Sequence, residues 1–264
     1  IMKIGFCFLI KRYISYSKEL WLPFFDGHED EYGIYIHSKV GPHDIDHYCP
    51  GLQNAKILFG KLIDTKWGAS SLVQATINLF EDAYNDGCDY MILVSGDMIP
   101  LCSFEQLKSI TDSTAFTSPE RETMNRWQEG RMHRRYYGPR NHQVSEIVPE
   151  FKDYKKQNMF FGITAEDYKG VNWQQYLDKY FTNYCCPDEH FWINILSALN
   201  IQYNNMNFIH VSNDPGNTQA RKWELTNNLI DDVKCYFIRK IHGNPKRAVL
   251  DRMGQIYKTG NNNL

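Results

Sequence analysis

Between Cys185 and Leu196 the chain reads CCPDEHFWINIL, setting two acids and a histidine between a proline and an apolar run. Asp188, Glu189 and His190 can each move a proton or bind a metal. In one reading Pro187 opens a helix, where its missing N–H costs nothing, and the acids occupy a first turn favoured by the helix dipole. That arrangement needs no chemistry. In the other, Phe191, Trp192, Ile195 and Leu196 bury the helix and hold a first-turn carboxylate rigidly, which is what a general base requires. A metal site is disfavoured, because neighbours at i, i+1 and i+2 on a helix diverge, whereas ligand pairs use i, i+3 or i+4.

Further candidates stand at the ends of strand-like runs. HDIDH, His43 to His47, contains Asp44 and Asp46 as a DxD, the pattern many nucleotide-sugar transferases use to hold a divalent ion through a diphosphate. It lies in a Gly-Pro-rich loop, and the run where such a motif belongs ends instead in SGDMIPL, with the single acid Asp97. Asp97 either binds sugar hydroxyls or closes a turn after Ser95, and Gly96 permits close backbone approach. His37 and Ser38 follow another run at the same expected edge, where α/β folds place ligands, although a histidine there serves equally as a satisfied loop residue. Trp67, before Gly68, reads as a packing anchor, with a wall of a sugar pocket as the alternative. From Ser118 to His142, arginines such as Arg121 and Arg126 alternate with Trp127, Tyr136 and Tyr137 without a sustained period. Cations and stacking faces of this kind suit an anionic saccharide, and a solvated loop is the competing reading.

The elements that must position these groups follow from hydrophobic patterning. KIGFCFLI, YGIYIHS and DYMILVSGD are apolar runs of strand length, as expected for strands covered on both faces. Between the last two, Leu72, Ala75, Thr76, Leu79, Phe80 and Ala83 recur at helical spacing, with Ser70 or Ser71 as the expected cap and Gly87 as the stop. NMFFGIT reads as a further strand, AEDYKGVNWQQYLDKYF as a helix and IQYNNMNFIHV as one more strand. This alternation predicts an α/β fold with a mainly parallel sheet flanked by helices. With 264 residues, 42% of them hydrophobic, one large domain is expected over 1–264: a ligand-binding half at 1–110, a second half at 111–242 and a tail at 243–264. The 29 Lys and Arg nearly balance the 31 Asp and Glu, so the net charge of −2 gives no reason to expect nucleic acid as partner. Seven scattered cysteines without CxxC spacing suggest reduced, structural thiols. With no membrane anchor and no export signal expected, the expected location is cytoplasmic.

Taken in order, KIGFCFLI, WLPFF, YIHS, TKWGASSLVQATINLFEDA, YMILVSGDMIPL, NMFFGIT, PDEHFW and CYFIRKI resemble the core 2/I-branching family of glycosyltransferases, glycosyltransferase family 14, with its O-xylosyltransferase relatives. The resemblance implies a GT-A type fold with a Rossmann-like sheet. It implies inverting, metal-independent transfer of a sugar, N-acetylglucosamine or xylose, from a UDP-sugar to a hydroxyl of a glycan or glycoconjugate. No cofactor is then expected, and UDP-sugar is a substrate. By the same resemblance Glu189 matches the catalytic base, Lys240 matches a lysine near the diphosphate, and its arginine partner falls on Arg221, with Arg239 a further candidate. His37, Ser38, Ser95, Gly96 and Asp97 would then line the donor, and Glu120, Arg121 and Trp127 the acceptor. The alternatives are a catalytically inactive UDP-sugar or glycan-binding module of the same fold, and a metal-dependent transferase using Asp44, Asp46 and Asp97.

Overall fold

A computed structural model of the chain describes residues 1–39, 45–52, 54–117, 155–184, 186–211, 221–261 and 264. Its centre is β1 (Ile4–Ile10), flanked in parallel by β2 (Tyr32–Ser38) and by β4 (Tyr90–Ser95), with the short β3 (Ala55–Ile57) outside β2. Nearly every residue of β1, β2 and β4 is buried, which is why these runs are continuously apolar instead of alternating. The sheet continues beyond β4 through β7 (Gly162–Thr164), β6 (Ala115–Phe116) and β8 (Asn204–Asn205), giving the order β3-β2-β1-β4-β7-β6-β8. β7 runs antiparallel to both β4 and β6, and the remaining pairings are parallel. The expected mostly parallel sheet with flanking helices is therefore present.

The two faces of β1 are covered differently. Cys7 meets the helix Ser70–Asn85, its Sγ lying 3.7 Å from the Leu79 carbonyl. Of the stripe that the helical period marks out, that helix buries Ala75, Thr76, Leu79, Phe80 and Ala83; Val73 and Ile77 are buried with them, while Leu72 is only partly buried. On the other face Phe6 packs edge-on against Trp21, Phe24 and Phe25, with Phe104 behind them. Burying one such ring contributes about 1.5–3 kcal/mol, so this aromatic layer is a main source of stability for the sheet.

Several local expectations change in the folded chain. The 70–85 helix has Ala69 at its N-cap without a side-chain bond, and Ser71 Oγ instead accepts the Lys66 N–H at 2.9 Å. Ser71 thus fixes the approach to the helix, not its first turn. AEDYKGVNWQQYLDKYF breaks into Ala165–Tyr168 and a second helix from Trp173, each with its own cap, Thr164 and Asn172. IQYNNMNFIHV splits into β8 and β9 (Ile209–His210), which belong to different sheets. β9 pairs with β11 (Phe237–Ile238), and β11 with β5 (Ile99–Pro100). β10 (Trp223–Glu224) pairs in parallel with β12 (Ile241–His242). Among the described residues the six cysteines are all buried, as expected for structural positions. No described helix is long and apolar enough to cross a membrane.

Candidate active site

The chain leaves β1 towards β2 and β3 on one side and returns to β4 on the other, so the connections diverge at the C-terminal ends of β1 and β4. Open α/β sheets bind ligands in the crevice at such a switch point. Leu9 pairs with Ser95 and Ile10 with Ser38, which brings the ends of β2, β1 and β4 to one edge. Ser95, Gly96 and Asp97 stand there. Ser95 Oγ donates to Asp97 Oδ1 at 2.6 Å. Gly96 carries the loop after β1: its carbonyl accepts the Ser15 N–H at 2.6 Å, and a side chain here would overlap the Tyr13 carbonyl oxygen.

Asp97 is where two of the expected cations converge. Arg239 Nε donates to both Ser95 Oγ and Asp97 Oδ1, each at 3.2 Å, and Lys240 Nζ lies 3.6 Å from Asp97 Oδ2. The Asp97 carbonyl also accepts the Ile241 N–H at 3.0 Å, so backbone and side chain together seat the 239–241 segment on the end of β4. Two cations face one carboxylate, which leaves the cluster with a positive charge in excess. All three side chains are partly exposed, at 22% for Arg239, 39% for Lys240 and 24% for Asp97, so an anion can reach them. Arg221 enters through a different contact. Its guanidinium lies 4.3 Å from the Trp223 ring centroid, and Trp223 N–H donates to the Lys240 carbonyl at 2.8 Å. The β10–β12 ladder therefore brings Arg221 to the same side of the molecule as Lys240.

PDEH is a separate structure from the helix that follows it. Pro187–Glu189 form one 3-10 turn, entered through Cys186 at φ 54° and closed by His190 at φ −137°, and the α-helix begins only at Phe191. The expectation that the acids occupy the first turn of that helix is thus corrected, because the His190 backbone breaks the helical path. The turn is pinned instead by neighbours. Cys186 N–H donates to the Gly68 carbonyl at 2.8 Å, and Gly68, at φ +69°, is the residue that makes this approach strain-free. Gln157 N–H donates to the Glu189 carbonyl at 2.8 Å, and Lys156 Nζ lies 3.3 Å from Glu189 Oε2. The same segment reaches the cation cluster, since the Arg239 guanidinium sits 4.8 Å from the Phe160 ring centroid. Phe160 follows Lys156 by four residues, a span of at most about 14 Å between their Cα atoms. The 156–160 segment therefore touches both Glu189 and Arg239 of the Asp97 cluster.

Other expected residues fall as follows. His37 is fully buried within β2, not beyond it, and its Nε2 accepts the Ile63 N–H at 3.0 Å, supporting the loop that leads to Trp67. Burial pushes its pKa down to about 4, so it is neutral. Ser38, 2% exposed, closes the same strand. Trp67 is 75% exposed, which corrects the expectation that it packs; it directly precedes Gly68, whose carbonyl holds the Glu189 turn. Glu120, Arg121, Trp127 and Asp44 lie outside the described residues, as does the Asp46 side chain. Among the described residues, His28, Glu31 and Glu105 bring three metal-ligating atoms within 4.8 Å of one another. Lys108 Nζ lies 3.0 Å from Glu31 and 3.2 Å from Glu105, so an ammonium already meets that charge. Sequence reasoning missed Lys156, Gln157, Phe160 and Asn194. Paired lysines before an apolar run read as solvent-facing, and only the partner 33 positions away shows otherwise.

A protein-family model described as Branch, Core-2/I-Branching enzyme, matches residues 4–234. The comparison with curated proteins returns no match. Solved structures similar to this chain include a galactosyltransferase, LgtC, in complex with donor and acceptor sugar analogs. It is 11% identical and aligns over 98% of this chain and 96% of that chain, with a TM-score of 0.43.

Proposed function

Since the chain belongs to the core-2/I-branching enzyme family and is a glycosyltransferase, we propose that it transfers a sugar from a UDP-sugar to a hydroxyl of a glycan or glycoconjugate, with inversion, on a GT-A type fold. The observation that carries this reading is the convergence of Arg239 and Lys240 on Asp97 at the switch point of the sheet, framed through Lys156 to Phe160 with Glu189.

The step is a single in-line displacement. Glu189 takes the proton from the acceptor hydroxyl as its oxygen forms a bond to the anomeric carbon. The bond from that carbon to the diphosphate oxygen breaks, and its electron pair leaves with UDP. Negative charge growing on the diphosphate must be met by fixed cations or by a divalent ion. Lys240, Arg239 and Arg221 supply fixed cations here, and Asp97 acts by holding the first two in place. Ser38 and Ser95 line the nucleotide side, and His37 acts through the loop it supports. N-acetylglucosamine and xylose are the donor sugars this reading favours. Glu120, Arg121 and Trp127 belong to the acceptor side.

Calorimetric titration of UDP into the protein tests the central point. Binding in EDTA, unchanged on adding manganese, is expected. Binding that requires manganese would replace this reading with the metal-dependent one built on Asp44 and Asp46.

A further inference from the structure

Lys156 has no part in the displacement just described, yet buried polar groups are concentrated on the segment that carries it. Asn194, 1% exposed, accepts the Lys155 N–H at 2.8 Å and donates to the Lys155 carbonyl at 2.8 Å and to the His190 carbonyl at 2.6 Å. His190 Nδ1 donates to the same Lys155 carbonyl at 3.0 Å. On the other side of Lys156, Gln157 is fully buried; its N–H bonds the Glu189 carbonyl at 2.8 Å and its Oε1 accepts the Ile193 N–H at 2.8 Å. Residues 155 and 157 are thus stitched to the turn and helix that carry Glu189. Hydrogen bonds of this kind between buried groups hold the segment in one arrangement. The side chain between the two anchors, 9% exposed, places Nζ 3.3 Å from Glu189 Oε2.

We propose that Lys156 is a positioning residue for the transfer step, holding the Glu189 carboxylate in the one rotamer that faces the acceptor hydroxyl. The Glu189 carboxylate sits on a short turn and is 27% exposed, and an ion pair at 3.3 Å narrows the rotamers open to it. The inference rests on the reading of Glu189 as the base, and its test separates the two.

The test uses the full chain and follows UDP release, with water as acceptor, from whichever of UDP-N-acetylglucosamine and UDP-xylose binds by calorimetry. Lys156→Met is expected to lower kcat about 10- to 100-fold, the scale of a misplaced reacting group, with Kd for UDP unchanged. Lys156→Arg, which keeps the charge, should recover most of that loss. In a Glu189→Gln background Lys156→Met should have no further effect, because it acts through the carboxylate. Unchanged kcat in Lys156→Met, or the same fold loss with and without Glu189, overturns the proposal. A loss of UDP affinity in step with kcat, not recovered by arginine, overturns it too, in favour of a purely structural ion pair. Lys156→Gln answers the same question if Lys156→Met does not fold. Normal turnover by Glu189→Gln alone is the separate result that removes the base assignment itself.

Discussion

At the scale of single residues, the histidines show how burial decides function. His37 accepts the Ile63 N–H at Nε2, so its proton sits on Nδ1 and the ring works only while neutral. Burial holds its pKa at about 4, below the ordinary 6.5. The unfolded chain therefore binds more protons than the folded one between these values, and stability rises with pH across that window. The contribution is fully present above about pH 6.5 and lost as pH falls towards 4, and it amounts to up to about 3 kcal/mol. His210, whose pKa burial also lowers, adds in the same direction. His37→Gln keeps an acceptor for the Ile63 N–H without a titrating ring. Its melting temperature should fall less between pH 7 and pH 4.5 than that of the unaltered protein; equal slopes in thermal melts at both pH values would contradict the assignment. That His37 stands at a strand end was legible in YGIYIHS. That its Nε2 serves the loop, not a ligand directly, depends on Ile63, 26 residues on, and no local pattern carries that pairing.

At the scale of elements, the candidate site is made by strand ends and by one turn, and its precision comes from backbone contacts. The end of β4 supports the 13–15 segment through Gly96 and the 239–241 segment through Asp97. Gly96→Ala drives a methyl group into the Tyr13 carbonyl, and overpacking of this kind costs about 1–3 kcal/mol. A lower denaturant midpoint with weakened UDP binding is expected, because the shift moves Asp97 and with it Arg239 and Lys240. A variant with full UDP affinity would show that the strand end does not set the cations. The SGD run announced a strand end, and the role of Gly96 as a close approach was readable in it. The 187–189 turn was not, since proline and two acids before an apolar run serve a helix start equally well. The break comes from Cys186 and His190, whose conformations are set by Gly68 and by the Lys155 carbonyl.

At the scale of the whole molecule, the net charge of −2 offers a nucleotide no general attraction, so in the proposed reading affinity for a diphosphate comes from the local excess around Asp97. A ligand held there stabilises the fold by mass action. UDP at 100 times its Kd adds about 2.7 kcal/mol, or roughly 5–10 °C in melting temperature for a chain of this size. Lys240→Ala should abolish most of that rise while leaving the unliganded melting temperature nearly unchanged, since Lys240 is 39% exposed and its pair with Asp97 contributes little to stability. A full UDP-dependent rise in the variant, read by thermal shift, would remove Lys240 from the diphosphate site.

By itself the sequence determined the strands β1, β2 and β4, the 70–85 helix and the order of motifs that places the chain in its family. Those features are encoded locally, because a strand buried on both faces has to be apolar throughout and a surface helix has to repeat its apolar stripe. Tertiary structure alone decided which charges meet. Asp97 and Arg239 are 142 positions apart, and Lys156 and Glu189 are 33 apart. In neither pair does the segment of one residue name its partner. Their pairing follows from long-range packing, in which β5, just after Asp97, pairs with β11, just before Arg239, and the 155–160 segment lies against the Glu189 turn; no window of sequence contains those contacts.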